Sequence, residues 1–138
     1  MCLYGVYRWV NIINKNQNKN VVAVDACIAE EVQILNERGI KTIGCCCGHG
    51  RAGQIVEYQN GFGIWKEREY PPHVLIVQES INLARQLGYN PYPYFSADGK
   101  DNGVSIMPLK SGCLTELDCK KWHQSNSVEY KRDLGIIK

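Results

Sequence analysis

Ten residues, Gly44 to Gly53 (Gly-Cys-Cys-Cys-Gly-His-Gly-Arg-Ala-Gly), constrain this chain more than any other stretch. Its glycines let a backbone turn sharply and approach a ligand closely. Three adjacent cysteines, with a histidine two residues on, supply soft metal ligands or nucleophile chemistry rather than ordinary core packing. Whatever the fold, it has to present this loop.

The residues before the loop read as a helix followed by a strand. Asp25 is a good N-cap, Glu30 and Glu31 lie toward the positive end of the helix dipole, and Gly39 after Arg38 is a stop. Ile28, Val32 and Leu35 recur at helical spacing, with Cys27 in the first turn on the flank of that stripe. Ile40 to Gly44 follows at once as a strand. A helix of about 13 residues and a strand of about six both run roughly 20 Å. Joined only by a glycine turn, the two pack antiparallel, so the helix start lies beside the strand end. Cys27 is thereby expected near Cys45, Cys46, Cys47 and His49.

The rest of the chain reads as alternating short elements. Leu3 to Ile13 is a strand, Asn14 to Asn20 a polar loop, and Val21 to Val24 a second strand pairing with the first. After the loop come a strand over Gln54 to Tyr58, a turn at Asn60 to Gly63, and another short element from Ile64. Pro71-Pro72 breaks the chain before a strand over His73 to Val77. Ile81, Ala84 and Leu87 mark a short helix closed by Gly88. Tyr92 to Ser96 and Val104 to Leu109 form a hairpin around Asp98-Gly99 and Asn102-Gly103, with Pro91, Pro93 and Pro108 placing it toward a sheet edge. Thr115 and Asp118 resemble a capping box, with Leu114 and Cys119 in staple positions, and a second helix is expected over 127–133. The expectation is one α+β domain over residues 1–138, with a mixed or largely antiparallel sheet, a helix packed on it and a helical C-terminal tail.

Composition sets the compartment. At 138 residues the chain is long enough to bury a core without staples. The net charge of +2 comes with no basic block, so nucleic acid is not indicated. No apolar run is long enough to span a bilayer, and Met1 to Trp9 lacks a signal-peptide layout, which points to the cytoplasm. In that compartment seven cysteines read as thiols or ligands rather than disulfides.

Three chemistries fit the loop. Thiolates and imidazole suit zinc, which takes four donors in structural sites and three where water keeps a place. Adjacent cysteines do not all reach one ion comfortably, so Cys47 and His49 with Cys45 or Cys46 are the expected donors, and Cys27 completes the set. Cys119 and His123, four apart on a helix, form a second possible pair, read more plainly as an apolar cysteine and an exposed histidine. Second, Cys45 to Arg51 resembles the Cys-x5-Arg loop of protein tyrosine phosphatases. That resemblance implies Cys45 as thiolate nucleophile and Arg51 as the clamp on phosphoryl oxygens, in a nest of backbone N–H groups. Gly44 stands where that family has histidine, Ala52 where it has Ser or Thr, and a strand follows where it has a helix. Third, Gly48, Gly50, Arg51 and His49 without catalysis suit a phosphate or nucleotide, with Tyr58, Phe62 or Trp65 stacking a base, unless these aromatics are core.

Asp25 to Glu31, Leu35 to Thr42 and Cys46-Cys-Gly-His-Gly together resemble short phage and prophage proteins of Gram-positive bacteria, over about residues 24–58. The resemblance implies a phage-type setting in a host cytoplasm, where small proteins often bind a host protein or sequester a signal nucleotide. It also implies that Cys27, Cys46, Cys47, Gly48 and His49 belong together. The sequence expectation is therefore a zinc site of Cys27, Cys46, Cys47 and His49, with the phosphatase and phosphate-binding readings as alternatives.

Overall fold

The computed structural model describes residues 6–13, 21–95 and 101–133, with the side chains of His49, Phe95, Asp101, Asn102 and 127–133 outside the description. In chain order the elements are β1 (Tyr7–Asn11), β2 (Val21–Asp25), α1 (Ala26–Glu37), β3 (Thr42–Cys46), β4 (Ile55–Asn60), β5 (Gly63–Arg68), β6 (His73–Val77), α2 (Ile81–Gln86), β7 (Tyr92–Phe95), β8 (Asp101–Pro108) and α3 (Glu116–Asp133). The fold is α+β, and every strand pairing among the described residues is antiparallel. Strands β1 and β2 form one hairpin and β4 and β5 another, while a four-stranded sheet runs in the order β3-β6-β8-β7.

Helix α1 forms where its pattern places it. Ile28, Val32 and Leu35 are all buried, and each such side chain contributes roughly 1.5–3 kcal/mol on leaving water. They share one apolar cluster with Val74 and Ile76 of β6 and Met107 of β8, so the helix covers the inner face of the sheet. Gly39 ends it at φ +97°, a conformation that costs glycine little.

Two polar pegs fix its position. Asn36 donates to the Val32 carbonyl (2.9 Å) and to Thr42 Oγ1 (3.2 Å), and its Oδ1 accepts the Ile13 N–H (3.2 Å). Glu31 accepts the N–H groups of Lys110 and Ser111 and the hydroxyls of Ser111 and Tyr89, tying α1 to the chain after β8. Burial alone raises the Glu31 pKa, but these donors outweigh it and hold the carboxyl below its ordinary value.

Several sequence expectations shift. The strand after α1 begins at Thr42, because the Ile40 N–H still bonds the Leu35 carbonyl of the helix end (3.0 Å). The element from Ile64 is a complete strand, paired with β4 from Ile55↔Arg68 to Asn60↔Gly63. The tail is one helix, with Thr115 Oγ1 accepting the Asp118 N–H (3.1 Å) at its start. The expectations for Leu3 to Gly5, for Asn14 to Asn20 and for Ser96 to Lys100 lie outside the described residues.

Candidate functional site

The loop is the continuation of β3, and alternation along that strand decides where each thiol goes. Cys45 pairs with Val74, which is fully buried, and it packs against the apolar cluster. Cys46 pairs with His73, so both are on the opposite face of the sheet, and both are half-buried. Cys47 follows the strand and returns to the core, with 1% of its surface exposed. Cys27, Cys45, Cys46, Cys47, Cys113 and Cys119 stand as thiols.

The expected convergence of helix start and strand end is visible at Asp25. Its carboxylate makes no capping bond to α1, contrary to the N-cap expectation; Oδ2 instead accepts the Cys47 N–H at 3.2 Å. Asp25 thus locks the loop to the helix start. Cys27, two residues further, is buried in the same cluster as Cys47, together with Cys113 and Cys119.

Cys46 is divided from Cys27 by the strand itself. Among the described residues no three Cys, His, Asp or Glu side chains are grouped to hold a metal. The register gives a physical reason: thiols that are neighbours in sequence leave β3 toward different faces. The His49 side chain lies outside that description.

The turn is held from two more sides. Gly48 adopts φ +75°, and a Cβ there would stand 2.8 Å from the Tyr70 carbonyl oxygen. Gly50, at φ +70°, sits against the start of α3, where a Cβ would come within 3.0 Å of the Thr115 carbonyl and the Glu116 backbone. Arg51 bridges to Thr115 through its backbone, and its guanidinium lies 3.6 Å from the Glu116 carboxylate.

These contacts occupy groups that a phosphate would use. The Cys47 N–H goes to Asp25, the Gly48 N–H to Cys46 Sγ (3.4 Å), the Arg51 N–H to the Gly48 carbonyl and the Gly53 N–H to the Glu69 carbonyl. Burial, with Asp25 and then Cys46 adding to it, pushes the Cys45 thiol up to about 12, the reverse of what a thiolate nucleophile needs. Cys46 is also raised, by burial against the Gly48 N–H, with Asp25 and Glu69 adding. The strand that the sequence places after the loop is β4, where the phosphatase family has a helix.

The aromatics divide. Phe62, at the tip of the β4–β5 hairpin, is fully exposed, while Tyr58 and Trp65 stack on each other across the strands (5.8 Å). None of the three belongs to the buried core. His123 is buried rather than exposed, edge-on to Trp122 at 4.8 Å.

Sequence reasoning passed over His73. Its Nδ1 lies 2.8 Å from the Pro71 carbonyl, and its ring meets Tyr70 edge-on at 5.5 Å. Only the β3–β6 register brings it to Cys46, and no local pattern announces a register. Cys113 was passed over too, since it stands alone in sequence between Gly112 and Leu114. Comparison with family models, with curated proteins and with solved structures yields no match. No helix among the described residues is long and apolar enough to cross a membrane.

Proposed function

We propose that the 45–51 loop holds a transition-metal ion, zinc by its donor types, in a cytoplasmic protein. The observation that supports this reading best is the clamping of a thiol-bearing turn from three sides: Asp25 on Cys47, Tyr70–Pro72 on Gly48, and Thr115–Glu116 on Gly50 and Arg51. Ligands held by rigid elements lose little freedom on binding, which is what a tight metal site requires. In this reading His49 supplies an imidazole and Cys46, the loop thiol turned away from the core cluster, a thiolate. The phosphoryl readings gain less, because the Cys47, Gly48 and Arg51 N–H groups already have acceptors and Arg51 meets Glu116.

The test is the metal content of protein purified without a metal-binding tag, followed by zinc titration of the chelator-treated protein. Stoichiometric zinc, restored on titration, is the expected result. Protein that is metal-free from zinc-replete medium and takes up none overturns the reading.

A further inference from the structure

We propose that His73 is a metal ligand, acting with Cys46 on the outer face of β3, and that Cys27 is not one. The inference rests on the metal reading above and names the face on which the ion sits.

Register is the first observation. Cys46 and His73 are direct partners across β3 and β6, so their side chains rise from the same face with Cβ atoms about 4.5–5.5 Å apart. That spacing lets a thiolate and an imidazole share one ion, with bonds of about 2.3 Å to sulfur and 2.0–2.1 Å to nitrogen.

The second is the state of the ring. Nδ1 lies 2.8 Å from the Pro71 carbonyl oxygen, and a carbonyl can only accept. Nδ1 therefore carries the proton, and the neutral ring has its lone pair on Nε2. A backbone carbonyl that fixes the tautomer in this way is the usual outer-shell partner of a metal-binding histidine. Tyr70, edge-on to the ring, restrains its tilt.

Access is the third. Cys46 and His73 are half-buried, open enough for an ion to enter. Cys27 and Cys47 have 6% and 1% of their surface exposed and lie in the buried cluster with Cys113 and Cys119, away from the face that Cys46 and His73 share.

Cobalt(II) titration, followed by its visible and thiolate charge-transfer absorption, separates the possibilities in wild type, His73→Ala, Cys46→Ser and Cys27→Ser. His73→Ala and Cys46→Ser are expected to weaken binding at least as much as losing an outer-shell partner does, about 10- to 100-fold. Cys27→Ser is expected to bind as wild type does. Wild-type affinity in His73→Ala, or a loss in Cys27→Ser equal to that in Cys46→Ser, overturns this assignment while the metal reading stands. Absence of cobalt or zinc uptake by wild type overturns both. A measurement without variants guards against misfolding: long-range nitrogen–proton NMR of the His73 ring, before and after zinc. Nε2 is expected to shift while Nδ1 keeps its proton; an unchanged ring in zinc-loaded protein sinks the proposal.

Discussion

Gly48 and Gly53 offer a matched experiment on how tightly the loop is held. Their φ angles are nearly the same, +75° and +78°, so alanine pays a similar backbone cost at both, about 1–2 kcal/mol. Their surroundings differ completely. At Gly53 a new Cβ meets nothing within 4 Å, and the backbone cost is the whole effect. At Gly48 it meets the Tyr70 carbonyl oxygen at 2.8 Å, the Pro71 carbonyl carbon at 3.5 Å and the Pro72 nitrogen at 3.6 Å. These are backbone atoms next to two prolines, and they cannot rotate aside as a side chain does. Overpacking of that kind adds about 1–3 kcal/mol. Gly53→Ala should therefore cost about 1–2 kcal/mol and Gly48→Ala about 2–5 kcal/mol. Urea unfolding under reducing conditions, with the slope checked for constancy, measures both. Equal losses in the two variants would refute the claim that Tyr70–Pro72 clamps the turn.

Four further outcomes are expected. Asp25→Ala removes the buried acceptor of the Cys47 N–H and should cost about 1–3 kcal/mol, whereas Asp25→Asn, which keeps an oxygen there, should cost clearly less; equal urea midpoints for the two would contradict this. Glu31 has a folded-state pKa below its ordinary 4.5, so the stability it confers is complete above that value and disappears as pH falls from there through the folded pKa. Glu31→Gln should therefore be less stable near neutrality and flatter in acid, and parallel pH–stability curves for the two proteins would show that the clamp on Lys110 and Ser111 is not the cause. The Arg51–Glu116 pair is largely exposed at 3.6 Å, so Arg51→Ala should change stability by less than about 1 kcal/mol. Inorganic phosphate should not raise the thermal midpoint; a rise that vanishes in Arg51→Ala would restore the anion-binding reading.

Much of the site's surroundings was legible. The helix over Ala26–Glu37 shows in sequence because its apolar period, its opening Asp25 and its closing Gly39 all act within one or two turns. The meeting of helix start and strand end follows from two lengths and a short turn, and the Asp25–Cys47 bond bears it out. The role of the Asp25 side chain was not legible. A capping carboxylate and one that turns to a loop N–H have the same sequence signature, and only the position of the loop chooses between them. The tail is one helix rather than two: Ser125, Asn126 and Ser127 are poor interior residues, but that preference is weak, and Asn126 donates to the Trp122 carbonyl one turn back.

That β3 runs past the expected end at Gly44 to Cys46 came only with the structure, and with it the opposite sides of Cys45 and Cys46; the sequence by itself determined helix α1 and the place of the glycine turn. Each of these is set by backbone geometry within a few residues, where period and φ restrictions act directly. Tertiary structure alone decided which of those sides is the core. That depends on β6, whose Val74 faces α1 and whose His73 faces away, and on the register that sets Cys46 against His73. Register comes from pairing strands far apart in the chain, and slipping it by one residue would exchange the two faces. Cys46 therefore stands beside a histidine 27 positions later rather than beside the Cys27 that the loop first suggests.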